Sequence, residues 1–204
     1  MGTLPNMKRY EPKQFPRMKG LSGISDALLQ DHFKLYEGYV KNTNELTVQL
    51  EALAKDGKAK GTSLAFAEQT RRLGFEYCGM ILHELYFANL APEPEPLNKT
   101  GALGLALAQS FGSVEAWLED FKAIAAMRGV GWAVAYQNPE NKLVSNHWIE
   151  LHDKGHPPGF RPLVVMDCWE HAFIPDYHAT ERAKYLDAYF RNLDYRACEA
   201  RLIK

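Results

Sequence analysis

Seven histidines, His32, His83, His147, His152, His156, His171 and His178, are the residues of this 204-residue chain best suited to chemistry. Asp167 and His171 stand four apart where a run rich in Leu, Val and Met ends, and the ends of rigid elements are where sites are built. A carboxylate and an imidazole at that spacing can meet one ion. One Asp with several neutral His suits a redox iron or manganese better than zinc, whose structural sites prefer thiolate. The spacing also fits a capping Asp beside a surface His, and His32 or His83 alone on an apolar stripe reads as a core histidine. Other chemistries have less to stand on. The chain has no Gly-rich phosphate loop and no GxSxG elbow, so nucleotide-binding and serine-hydrolase readings fall away. Its cysteines, Cys78, Cys168 and Cys198, form no CxxC pair, which suggests neither a disulfide framework nor a zinc knuckle and fits a reducing cytoplasm.

Helices and strands must position these groups. Ser25 can cap a helix with Asp26 in its first turn and Leu28, His32, Leu35, Tyr36 and Tyr39 on one stripe. A second helix is expected over Leu46 to Lys55, ended by Asp56-Gly57, and a third from near Ser63 to Leu90. The prolines of Ala91 to Pro96 stop helix formation and mark the best boundary in the chain. Short helices follow, about Ala102 to Ser110 and Val114 to Met127, the latter capped by Ser113. Trp132 to Gln137, Leu143 to Leu151 and Pro162 to Cys168 then read as strands, and a last helix runs from about Thr180 to the C-terminus. The expected class is α+β: an irregular extension (1–20), a helical hairpin domain (21–92), and a mixed domain (97–204) with a three-stranded antiparallel sheet flanked by helices.

With 24 Lys and Arg against 25 Asp and Glu, no global basic field would draw the chain to nucleic acid or to an anionic membrane. The longest apolar runs fall far short of the roughly 20 residues that span a bilayer. The first 20 residues lack the apolar stretch of an export signal.

Asp167-Cys168-Trp169-Glu170-His171-Ala172-Phe173, followed by Asp176-Tyr177, closely resembles the D-x-W-E-H-A signature, ending in Phe or Tyr, of the iron/manganese superoxide dismutase family. His83 to Pro92 is similar to that family's second-ligand helix, and Phe111 to Trp132 to the helix leading into its Gly-x-Gly-Trp strand. Tyr185 to Tyr195 follows the terminal-helix spacing, with Phe190 and Tyr195 where tryptophans are usual. The resemblance spans roughly Leu21 to Leu202. It implies one Fe or Mn ion per chain, held by His32, His83, Asp167 and His171, and an antioxidant enzyme that dismutes superoxide, cytoplasmic and a homodimer or tetramer.

The same resemblance assigns Tyr39 as a gateway tyrosine, with Trp132, Trp169 and Phe87 lining the pocket. It makes Glu170 a bridge to the partner subunit's His171. The first helix is one residue shorter than the family pattern, which leaves Tyr36 near a missing histidine, and Ile174 stands where a tyrosine normally pairs with that histidine. Gly79 occupies one usual place of a solvent-bonding glutamine, so the donor is expected to be His152, with His147 as the fallback. Metal preference follows that position, which favours iron or dual-metal use. The competing expectation is a metal-binding homologue with altered activity, either a non-haem iron redox protein or an interaction protein, motivated by Tyr36, Ile174 and residues 1–20.

Overall fold

A computed structural model describes residues 9–203; residues 1–8 of the expected extension and Lys204 lie outside the described residues. The chain enters α1 (Asp26–Lys55), and α2 (Leu64–Ala88) returns along it as a hairpin. Serines start both helices: Ser25 Oγ accepts from Leu28 N at 3.1 Å and Ser63 Oγ from Phe66 N, each satisfying a first-turn amide that has no helical partner. The two helices expected from Ser25 to Lys55 are one. The run Asn42-Thr43-Asn44, which reads as a break, instead turns its polar groups sideways. Asn42 donates to Glu76 on α2 at 3.2 Å, and Asn44 exchanges two 2.9 Å bonds with the backbone of Tyr10. Leu35, placed on the buried stripe by spacing, is 43% exposed, because it stands one residue before buried Tyr36 and is turned about 100° from it around the helix.

Helices α3 (Ala102–Phe111) and α4 (Val114–Ala125) lead to the sheet, where β1 (Gly131–Gln137) lies between β2 (Val144–Glu150) and β3 (Arg161–Asp167), both antiparallel to it. All seven residues of β1 are buried. The register sets Trp132 opposite Asp167. Short 3-10 turns, Glu170–Ala172 and Ala179–Glu181, then join β3 to α5 (Arg182–Arg191) and α6 (Tyr195–Glu199).

The single terminal helix expected from Thr180 is therefore divided. Asn192-Leu193-Asp194 leaves helical geometry to pair with the chain just beyond α2, where Ala91 N donates to Asn192 O at 2.9 Å and Asp194 N to Asn89 O at 2.7 Å. Asp194 then caps α6 by accepting from Arg196 N. A tertiary backbone pairing here outweighs the local periodicity.

The outer edge of β3 would present unpaired carbonyls, and side chains satisfy alternate ones. Arg201 donates to Leu163 O at 2.7 Å, Tyr189 and Asn89 donate to Val165 O at 2.9 and 3.2 Å, and Tyr185 donates to Asp167 O at 2.9 Å. Buried carbonyls need such partners, and an edge so covered offers no template to a foreign strand. Tyr185 also fixes the backbone of Asp167, the residue on which the sequence motif turns.

Candidate metal centre

His32 projects from α1, His83 from α2, Asp167 from the last position of β3, and His171 from the 3-10 turn that follows. Their ligand atoms all lie within 4.8 Å of one another. Asp167 Oδ2 is the focus, at 3.1 Å from His32 Nε2, 3.1 Å from His171 Nε2 and 3.7 Å from His83 Nε2. Its Oδ1 accepts from Trp169 N at 2.8 Å, which leaves Oδ2 aimed at the cluster. Three of the four residues are fully buried; His171 retains some exposure and marks the solvent side.

His83 shows that the cluster is built for a cation. Its Nδ1 donates to Gly79 O at 2.7 Å, so in the neutral ring Nε2 carries a lone pair and no proton. That lone pair faces a carboxylate oxygen, and Nε2 has no hydrogen-bond partner among the described residues. Two electron-rich atoms buried face to face repel unless a positive centre lies between them. Burial, and then the charge of His32, lower the His83 pKa well below the usual histidine range; burial also lowers that of His32, against the opposing pull of Asp167. Burial alone would raise the Asp167 carboxyl, but the charge and hydrogen bond of His171, followed by those of His32, hold it far below the ordinary range. An ionised carboxylate beside the neutral rings of His32 and His83 offers the mixed oxygen and nitrogen donors that iron or manganese takes.

A second layer surrounds these groups. Tyr39 stacks on His83, with centroids 5.0 Å apart, and its hydroxyl lies 2.7 Å from His152 Nε2. Trp132 Nε1 donates to His152 Nδ1 at 3.0 Å. An indole can only donate, so neutral His152 carries its proton on Nε2 and gives it to the Tyr39 oxygen. The Tyr39 hydrogen is thereby left to point elsewhere. Trp169 stacks on both His152 (4.7 Å) and His171 (5.7 Å), Trp132 meets His83 edge-on at 4.9 Å, and Phe87 lies 5.0 Å from His32.

Of the residues expected from sequence, His32, His83, Asp167, His171, Tyr39, His152, Trp132 and Trp169 are brought together. His147 is not: it lies on β2, its Nε2 paired with Ser145 Oγ at 2.8 Å. Tyr36 turns away from the cluster, its hydroxyl accepting from Lys13 N at 2.9 Å and donating to Glu84 at 3.1 Å. Glu170 and Ile174 are exposed. Sequence reasoning missed Phe75, whose ring lies 4.6 Å from that of His152; it stands eight residues before His83, a helical spacing that could have found it. Gly79 is required on steric grounds, since a Cβ there would lie 2.8 Å from the Tyr39 ring and 3.2 Å from His152.

Burial pushes His152 down to about 4, in the same direction as His32 and His83. An unfolded chain protonates these groups near pH 6.5, so below that pH it binds protons that the folded protein refuses. Folding stability of the metal-free protein is expected to fall as pH drops from ~6.5 toward 4, with His152 alone contributing up to ~1.4 kcal/mol per pH unit. Urea midpoints at pH 7, 6 and 5 check this, and a flat profile would mean that these rings are not held neutral.

A family model described as iron/manganese superoxide dismutases, C-terminal domain, matches residues 99–201. A superoxide dismutase (Fe) of Aquifex pyrophilus is 32% identical over 201 residues, 96% of this chain and 92% of its own length. A superoxide dismutase (Mn) 2 of Haloferax volcanii is 33% identical over 84% of this chain and 83% of its own. A superoxide dismutase (Mn) of Haloarcula marismortui is 34% identical over 84% and 82%.

Proposed function

Since this chain belongs to the iron/manganese superoxide dismutase family, we propose that it converts two superoxide ions and two protons to dioxygen and hydrogen peroxide at an iron or manganese ion held by His32, His83, Asp167 and His171. The ion supplies a one-electron couple between its divalent and trivalent states. The convergence of three imidazole Nε2 atoms on Asp167 Oδ2, with no proton available at His83, carries the reading.

The chain's own residues do the rest. Asp167 contributes the one negative charge, offsetting the cation, while neutral His32 and His83 add none. Gly79 O fixes the tautomer and orientation of His83, as outer partners of metal ligands do. Trp132 orients His152, and His152 donates to Tyr39, which leaves the Tyr39 hydroxyl hydrogen free for another acceptor. Peroxide formation consumes protons, and we assign Tyr39, which lies against His83 and is bonded to His152, to pass them in. Trp132, Trp169 and Phe87 keep the surroundings apolar, which strengthens the field on a small anion.

The relatives carry either metal by name; with His152 beside Tyr39 we favour iron or dual-metal use here. Exposed Glu170 beside partly exposed His171 supports a homodimer, or a tetramer built from such pairs, in which Glu170 reaches the partner subunit's His171. No helix among the described residues is long and apolar enough to cross a membrane; the free cysteines favour a reducing cytoplasm, and superoxide as substrate an antioxidant role.

The test is superoxide consumption by separately iron-loaded and manganese-loaded protein, with metal quantified on the same samples. Activity per bound ion well above that of free metal is expected in at least one form. About one ion per chain with consumption no faster than free metal would overturn the reading.

A further inference from the structure

His152 sits at the start of the loop 151–160, directly after a residue in an unfavourable conformation: Leu151 has φ +54°, in the left-handed region that a branched side chain avoids. The loop's backbone bonds are few, Leu151 N to Val130 O at 3.2 Å, the Glu150–Lys154 pair at 3.0 and 3.3 Å and Phe160 N to Pro157 O at 3.2 Å, with Trp169 Nε1 donating to Leu151 O at 3.3 Å, while Asp153, Lys154 and Gly155 are exposed. A histidine carrying a hydrogen bond to Tyr39 needs a firmer mount than this.

The mount comes from His156. Its Nε2 lies 2.8 Å from the backbone oxygen of His152, and its Nδ1 lies 2.6 Å from the hydroxyl of buried Tyr136. A carbonyl can only accept, so the His156 proton is on Nε2, and Nδ1 accepts from Tyr136. Tyr136 and Trp132 stand four apart on β1, hence on one face of the central strand. Trp132 grips the His152 ring and Tyr136, through His156, grips its carbonyl. Two residues of one rigid strand thus hold the histidine at both ends.

We propose that His156 and Tyr136 are positioning residues for the dismutase reaction, acting through the His152 carbonyl to hold the His152–Tyr39 hydrogen bond in register with the metal centre. The proposal rests on the dismutase reading for what that bond accomplishes. The mount itself stands on geometry alone.

The test compares metal-loaded wild type with His156→Leu, His156→Gln and Tyr136→Phe, reading metal per chain, turnover per bound ion, and backbone hydrogen exchange over residues 151–156. Leu fills the space without hydrogen bonds; Gln can donate to the His152 carbonyl and accept from Tyr136. His156→Leu is expected to keep its ion, lose about tenfold in turnover, the scale on which outer partners of metal sites act, and exchange faster across 151–156. His156→Gln is expected to restore both, and Tyr136→Phe to fall in the direction of Leu. If the Leu protein does not fold, the nearly isosteric Tyr136→Phe decides alone, and unchanged turnover and exchange in it overturn the proposal. Faster exchange with unchanged turnover per ion would reduce His156 to a loop anchor and overturn it too, as would a folded Gln variant no better than Leu. If wild type binds its ion without consuming superoxide, the dismutase reading fails. The exchange arm, which needs no activity, then still decides whether His156 holds the loop.

Discussion

Asp167→Ala is expected to empty the metal site. The carboxylate supplies the only negative charge among the four donors, and its Oδ2 is the atom on which the three imidazoles converge. Without it, a divalent or trivalent ion would be taken from water into a buried pocket of neutral groups, which costs several kcal/mol. Loss of an outer partner weakens metal sites by about 10–100-fold, and loss of a charged ligand should exceed that. Asp167→Asn separates charge from shape, because the amide keeps the volume and can still accept from Trp169 N, a bond whose loss leaves a buried amide unpaired at about 1–3 kcal/mol. Metal per chain after dialysis against a chelator, with thermal unfolding measured with and without added metal, is the readout. Both variants are expected to lose most of their ion and the stabilisation it confers on the folded state. Full metal content in Asp167→Asn would remove the carboxylate from the ligand set.

Gly79→Ala is expected to leave the ion in place and impair turnover. The new methyl would press on the Tyr39 ring at 2.8 and 2.9 Å and on His152 at 3.2 Å. Tyr39 cannot retreat freely, since one face stacks on His83 and its hydroxyl is tied to His152. Overpacking of this kind costs about 1–3 kcal/mol, set against the ~1 kcal/mol by which alanine is the better helix former. Net stability should therefore fall by about 0–2 kcal/mol, while the displaced Tyr39–His152 pair should cost about tenfold or more in turnover per bound ion. Tyr39→Phe, which removes the hydroxyl without crowding, is the companion. If Gly79→Ala matches wild type while Tyr39→Phe is impaired, the rings have found room, and the steric argument is wrong. If Tyr39→Phe matches wild type, Tyr39 is not the proton-passing group.

The metal cluster was legible through the family resemblance: Asp167 and His171 stand four apart in its most specific motif, while His32 and His83, on apolar stripes that read as core, are joined to them only by that resemblance. Strand limits came within about a residue, since alternation and turn residues bound them locally. What escaped depends on distant neighbours. Asn42 and Asn44 look like helix breakers until Glu76 and Tyr10 are seen to take up their side chains. The break at Asn192 follows from pairing with Ala91, about a hundred residues away in the chain. Counting along β2 favours His152 over His147 as the outer donor but cannot show the left-handed turn at Leu151 that redirects the chain and carries His152 to Trp132. His156 has no signal in its neighbours at all; its role is visible only where the loop meets Tyr136.

The side chains that close the edge of β3 bear on how the chain emerges from the ribosome. Leu163, Val165 and Asp167 acquire partners from Tyr185, Tyr189 and Arg201, all of which are synthesised later. Until Tyr185 and Arg201 are free, the newly made strand presents apolar residues together with open carbonyls at Asp167 and Leu163, the combination that invites pairing with a neighbouring nascent chain. Arg201 thus fastens the Leu163 end of the strand. Truncation before Arg201, though far from every metal ligand in sequence, would be felt as aggregation during synthesis rather than as a weaker enzyme.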